Sequence, residues 1–207
     1  MKPTSAALRD LARRDPVLGR AMKKLAPFPG FPDAAQRGQR THFHALARAI
    51  IYQQLAGAAA KTIHDRVVAL TPGTRFPKPA ELLALPEAQM RGAGLSRNKL
   101  AALRDLATRI ESGALVLQSI ARRDDDAVIE ALTEVFGIGP WSAQMFLMFR
   151  LGRLDVMPAT DLGVQEGLRR LDGLAERPTP AQVLARGEAW RPLRSVASWY
   201  MWRLTDK

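Results

Sequence analysis

The most informative group in the sequence is Gly137-Ile138-Gly139-Pro140, which joins two apolar helical segments in ALTEVFGIGPWSAQMFL. Two glycines let the backbone turn tightly and approach a ligand closely, while Ile138 can plug the space between the helices. Amides at the start of the second helix, around Trp141 and Ser142, then face outward. Aided by the positive helix end, they can grip a phosphate oxygen without reading base sequence. Taken alone, a Gly-x-Gly turn is equally an ordinary helix corner with a glycine cap. Asp161 follows in VMPATDLGVQEGL, 161 − 139 = 22 residues past Gly139. A carboxylate there is available for chemistry, yet Thr160 and Asp161, after Pro158, are also residue types that cap a helix such as LGVQEGLRRL. On this segment the two readings are even, and both can hold together. The acidic run Asp124 to Asp126 reads as favourable charge at a helix N-terminus. His42, His44 and His64 form no metal pattern with nearby carboxylates and read as surface or DNA-facing residues.

The elements that must position these groups are helical. LGRAMKKL, FHALARAIIYQQL, AAAKTIHDRVVAL, ELLALPEAQM, RNKLAALRDLATRI, DDAVIEALTEVF, WSAQMFLMFRL, LGVQEGLRRL and SVASWYMWRL each repeat apolar residues every three or four positions. No period-2 strand pattern stands out. Ser96, Asp124 to Asp126, and Thr179 with Pro180 mark helix starts. The separators, at 26 to 38, 71 to 79 and 176 to 180, are short and rich in Pro and Gly. The expected fold class is all-α, a compact helical bundle.

The 207 residues carry 31 Lys plus Arg against 20 Asp plus Glu, a formal charge of +11 that suits a protein meeting a polyanion. Nucleic acid is the first candidate partner. The absence of Cys removes disulfides, thiolate zinc sites and Cys-ligated iron–sulfur clusters together. The N-terminus MKPTSAALRD lacks the apolar core of a signal peptide, and no run of about 18 apolar residues offers a membrane span. The expected location is therefore the cytoplasm or nucleoid, with no membrane partner.

VFGIGPWSAQMF resembles the helix-hairpin-helix signature of the DNA glycosylase superfamily, roughly F-P-G-I-G-x-W-T-A in the 3-methyladenine glycosylase II branch. Phe136 stands where Pro is usual and Ser142 where Thr is. AIIYQQLAGAAAKTIHDRV (49 to 67) is similar to the family's I-x-x-Q-Q-x-S-x-x-A-A helix, and GLSRNKLAALRDLA (94 to 107) to its G-L-S-x-x-K-A element. WRPLRSVASWYMWRL (190 to 204) resembles the closing W-x-P-W-R-S-x-A helix, with Leu193 for a Trp. The likeness runs from about residue 40 to 204 and corresponds to a short form without the extra N-terminal β-rich domain.

The resemblance implies a helix-hairpin-helix glycosylase fold, two helical lobes with the active-site cleft between them. Lobe one would span mainly 40–125, with the hairpin over 127–150, a catalytic segment over 155–171, and the helices of 1–38 and 180–207 forming the second lobe. It implies base-excision repair: an alkylated base of the 3-methyladenine or 7-methylguanine type is flipped from duplex DNA and its N-glycosidic bond hydrolysed. The family places its catalytic Asp about two dozen residues beyond the hairpin, so the spacing assigns that role to Asp161. A negative charge beside the sugar stabilises an oxocarbenium-like centre, as in glycoside hydrolysis. A cationic, electron-poor base is best held by aromatic walls. By resemblance these are Trp141 and Trp202, with Met145 where relatives often carry Tyr; Trp199, Tyr200 and Trp202 are otherwise ordinary core or rim residues. Gln54 corresponds to the side chain that fills the hole left by the flipped base, and Gln53 to a brace for that loop. Gln53, Gln54, Gly137, Ile138, Gly139, Trp141 and Ser142 make up the expected DNA-binding set. No cofactor is required, although relatives bind a monovalent Na+ or K+ through hairpin carbonyls, here Thr133, Val135 and Gly137.

Bifunctional relatives carry a Schiff-base Lys immediately after the hairpin's G-x-G-x; here that position is Trp141, so no lyase step is expected. Arg91, Arg97, Lys99 and Arg194 are candidate phosphate contacts, against a background in which most surface cations are merely solvated. A monomer is expected. The rival readings are a non-catalytic helix-hairpin-helix DNA-binding protein and a glycosylase for a different lesion.

Overall fold

The computed structural model describes residues 1–32 and 41–206, so positions 33–38 of the first Pro- and Gly-rich separator, and residue 40 at the start of the expected first lobe, lie outside the described residues. Among the described residues there is no strand, and no helix is long and apolar enough to cross a membrane. The all-α expectation holds. The chain divides into two compact units, residues 1–37 with 147–207, and residues 38–146.

In the 38–146 unit the described helices are α3 (His42–Tyr52), α4 (Gly57–Val68), α5 (Pro79–Ala84), α6 (Glu87–Gly92), α7 (Arg97–Glu111), α8 (Asp125–Thr133) and α9 (Pro140–Met145). The long helix α7 buries Leu100, Ala102, Leu103, Leu106 and Ala107, a stripe at helical spacing on which α3, α5 and α6 pack. Its start is fixed by Ser96, whose hydroxyl accepts from the Lys99 amide at 3.2 Å; Asp124 caps α8 in the same way at 2.7 Å. ELLALPEAQM breaks into α5 and α6, because Pro86 cannot donate and forces extended backbone on Leu85.

In the other unit the chain forms α1 (Ser5–Arg14), α2 (Pro16–Lys24), α10 (Leu162–Asp172), α11 (Pro180–Gly187) and α12 (Arg194–Thr205). Helices α10 and α12 approach so closely that a Cβ at Gly167 would lie 2.2 Å from the Met201 carbonyl oxygen. Asp15, 4% exposed, caps α2 and accepts from Trp190 Nε1 at 2.7 Å and from Arg186 at 2.6 Å, which ties α2 to the fully buried Trp190. Thr179 caps α11 with Gln182 answering reciprocally. MFLMFR is expected to continue one helix, but Phe146–Arg150 is a π turn.

Candidate active site

The segment that carries Asp161 is held to α10 and α12 at successive points. Arg194, at the start of α12, bonds both carboxylate oxygens of Asp155, at 2.9 and 3.1 Å, and its backbone carbonyl at 2.6 Å. Ser195, fully buried, accepts from the Val156 amide at 2.9 Å. The Gln165 side chain, buried on α10, donates to the Ala159 carbonyl at 2.9 Å. Asp161 then caps α10, its Oδ1 accepting from the Val164 amide at 2.8 Å, where the positive helix end favours an anion. Asp161, and not Thr160, is the cap.

The same Oδ1 accepts from Trp202 Nε1 of α12 at 2.8 Å. The half-buried Trp202 ring stacks on Phe149, centroids 5.6 Å apart at 28°. A Cβ at Gly163 would stand 2.8 Å from Trp202 Cδ1 and 3.1 Å from Asp161 Oδ1, so only glycine leaves room for this arrangement. The unit thus assembles a carboxylate at a helix N-terminus with an indole pinned to it by hydrogen bond and stack.

In the 38–146 unit a second group forms around the hairpin. Gly137 has φ +80°, which glycine adopts freely, and Ile138 is the expected plug at 4% exposure. Gly139 precedes α9, and a Cβ there would meet nothing within 4 Å. Asp105 of α7 fixes the turn by accepting from the Phe136 amide at 2.7 Å. Gln53, at the C-terminal end of α3, donates through Nε2 to the Gly137 carbonyl at 3.0 Å and faces Ser142 Oγ at 3.4 Å, which ties the glutamine loop to the hairpin. Lys99 Nζ donates to the Ile51 and Gln53 carbonyls at 2.6 and 2.8 Å, closing the end of α3. Burial lowers the Lys99 ammonium below its ordinary range. Gln54, exposed at the tip, has φ +55°, the only positive value among described non-glycine residues. Such a conformation in a bulky residue persists only where its surroundings hold it.

Trp141 is 44% exposed on α9, and Met145 is half-buried on the same helix. These two belong to the 38–146 unit, whereas Asp161 and Trp202 are brought together in the other. Thr133, Val135 and Gly137 line one open concavity with Asp105 and Glu134. The Val135 carbonyl also accepts from the Ile138 amide at 3.0 Å, and the Gly137 carbonyl from Gln53. Each carbonyl oxygen has a second lone pair, so the donor set fits a monovalent cation.

Two expectations need correction. Arg194 and Lys99 are committed to Asp155 and to the α3 carbonyls, and Arg91 donates to the Leu95 carbonyl. Arg97 is exposed at the start of α7. His44 and His64 are not surface residues in the sense expected: their Nε2 atoms are 2.8 Å apart and both rings stack with Phe76, because α3 and α4 pack face to face there. His42 stands edge-on to Phe146. Sequence reasoning missed Asp105, Phe149 and Gly163; their roles depend on partners distant in the chain, and a helical pattern carries no signal for them.

Residues 47–192 match the family described as HhH-GPD superfamily base excision DNA repair protein. The chain is 37% identical over 162 residues to DNA-3-methyladenine glycosylase 1 of Schizosaccharomyces pombe, covering 78% of this chain and 71% of that one. A solved structure of the S. pombe 3-methyladenine DNA glycosylase in complex with abasic DNA superposes with a TM-score of 0.82 at 32% identity, covering 96% of both chains. A DNA-3-methyladenine glycosidase from Bacillus halodurans superposes with a TM-score of 0.85 at 32% identity, over 98% of this chain and 90% of that one. With a hairpin turn, a spaced carboxylate and a family match that spans both, the chain belongs to the HhH-GPD superfamily of base excision DNA repair proteins.

Proposed function

We propose that the protein is a DNA glycosylase that removes alkylated bases of the 3-methyladenine and 7-methylguanine type from duplex DNA and acts as a monomer. The observation that carries the reading is the Asp161 carboxylate, fixed at the N-terminus of α10 with the Trp202 indole N–H on its Oδ1 at 2.8 Å. Methylation at N3 or N7 makes the purine cationic, so cleavage of the C1′–N bond sends the bonding pair to a base that leaves neutral. The sugar is left electron-poor, and a nearby carboxylate stabilises it electrostatically. Water then forms the new bond to C1′ and releases its proton to the Asp161 carboxylate. Trp202 supplies an aromatic face whose attraction grows with positive charge on the base. Gly139, with open space around it, lets a DNA phosphate reach the amides that open α9, and Gln54 enters the duplex where the base has left.

Trp141 stands where a Schiff-base lysine would be, so cleavage stops at the abasic site. The hairpin carbonyls of Thr133, Val135 and Gly137 are the proposed holders of a Na+ or K+, which would add positive charge where the phosphate docks. The test is chromatographic identification of the bases released from duplex DNA treated with a methylating agent, with a borohydride trap run in parallel. Free methylpurines without a trapped covalent complex are expected. Tight DNA binding without any free base would overturn the reading in favour of a non-catalytic DNA-binding protein, and release of another damaged base alone would overturn its substrate.

A further inference from the structure

We infer that Phe149 and Gly163 are positioning residues that fix the plane of Trp202 beside Asp161, and that the fixing begins in the N-terminal segment at Phe28 and Phe31; this rests on reading Asp161 and Trp202 as catalytic group and pocket wall.

An indole attached by two rotatable bonds has to be constrained in both translation and tilt before it offers a defined face to a base. The hydrogen bond from Nε1 to Asp161 Oδ1 at 2.8 Å constrains one edge only. Gly163 admits that edge. It lies in the first turn of α10, and the Cβ of any other residue would stand 2.8 Å from Cδ1 and 3.2 Å from Nε1 of the indole, a distance at which the ring must move. Phe149 sets the tilt, with its ring 5.6 Å away and within 28° of parallel.

Phe149 is itself held. Phe31 meets it edge-on at 5.0 Å and 89°, and Phe28 meets Phe31 edge-on at 4.9 Å and 84°. Phe28 and Phe31 are 1% and 2% exposed, so this end of the column is anchored in the core of the unit. The Phe28 amide donates to Tyr200 Oη of α12 at 3.2 Å, which ties the column back to the helix that carries Trp202. Phe28, Phe31 and Trp202 all lie outside the matched residues 47–192. The side chains that hold Phe149 in turn are therefore supplied by parts of the chain beyond that match.

The measurement uses the full chain with 15N-labelled tryptophan. Its four tryptophans give four indole N–H signals, and the one lost in Trp202→Phe is assigned to Trp202. Phe149→Leu and Gly163→Ala should displace that signal and leave the other three in place, which also reports that the fold is retained. In single-turnover base release from methylated duplex DNA, both variants should be about 10- to 100-fold slower with DNA affinity little changed, since misplacement of order 1 Å costs on that scale. Phe149→Tyr, which keeps the ring, should restore both signal and rate. A Trp202 signal unmoved in Phe149→Leu and Gly163→Ala overturns the inference, as does a displaced signal with a wild-type release rate. A displaced signal in a protein whose wild type releases no base keeps Trp202 positioning and rejects the glycosylase reading instead.

Discussion

Replacing Lys99 with Met removes the ammonium that ties the end of α3 while keeping the apolar stem. Two charge-assisted hydrogen bonds, at 2.6 and 2.8 Å, are lost from the Ile51 and Gln53 carbonyls. Each such bond contributes about 1.5–3 kcal/mol. Water that reaches the freed carbonyls replaces most of this, leaving a net loss of about 1–2 kcal/mol, the usual net worth of intramolecular hydrogen bonds. The loss falls on the loop that holds Gln54 at φ +55° and places Gln53 on the Gly137 carbonyl. Global stability should therefore fall modestly, while base release from duplex DNA falls about 5–30-fold as the loop leaves its competent geometry. The assay is a double-mutant cycle in single-turnover release, combining Lys99→Met with Gln54→Ala. If Lys99 acts through Gln54, Lys99→Met adds little in the Gln54→Ala background, a coupling of about 1–2 kcal/mol. Additive losses, or a Lys99→Met enzyme at the wild-type rate, would show that Lys99 does not act through Gln54.

Gly167→Ala should lower stability by about 3 kcal/mol, the upper end for overpacking, because its Cβ meets the Met201 backbone at 2.2 Å and α10 must separate from α12; thermal unfolding reads this directly. Asp15→Asn should cost about 2 kcal/mol near neutral pH by removing the anion that accepts from the Trp190 indole and one of the two carboxylates that hold Arg186, Asp172 remaining as the other. Burial raises the Asp15 carboxyl, but Trp190, the Leu18 amide and Arg186 together hold it below its ordinary value. The wild type's advantage should therefore be full above about pH 4, the unfolded value, and vanish as pH falls through the lower folded one, in chemical denaturation followed against pH. Arg97→Gln should weaken duplex binding and reduce the slope of log affinity against log salt by about 0.9, the loss of one phosphate contact.

Local chemistry was legible in the sequence. The Gly137 turn, the Ile138 plug and the caps Ser96, Asp124 and Thr179 depend on neighbours within a few positions, and their residue types state their roles. Asp161 was legible as a cap. What the pattern left open depends on distant pairings. Lys99 and Arg194 read as candidate phosphate contacts until the Gln53 carbonyl, 46 residues away, and Asp155, 39 residues away, come against them. Gly163 reads as a weak spot in a helix until Trp202 fills the space. The π turn at Phe146–Arg150 is equally invisible, since the apolar run MFLMF satisfies either helical period and only tertiary packing selects where Phe149 points.

In the proposed reaction the charge on Asp161 drives bond cleavage. Asn is nearly isosteric, and its side-chain oxygen can still accept from the Val164 amide and from Trp202 Nε1, so Asp161→Asn removes charge while keeping the cap and the indole contact. The measurement is the single-turnover rate of methylpurine release at saturating enzyme, with DNA affinity determined alongside. The rate should fall about 10²–10³-fold or more at unchanged affinity. Release by Asp161→Asn within a few fold of wild type would contradict that role of the charge.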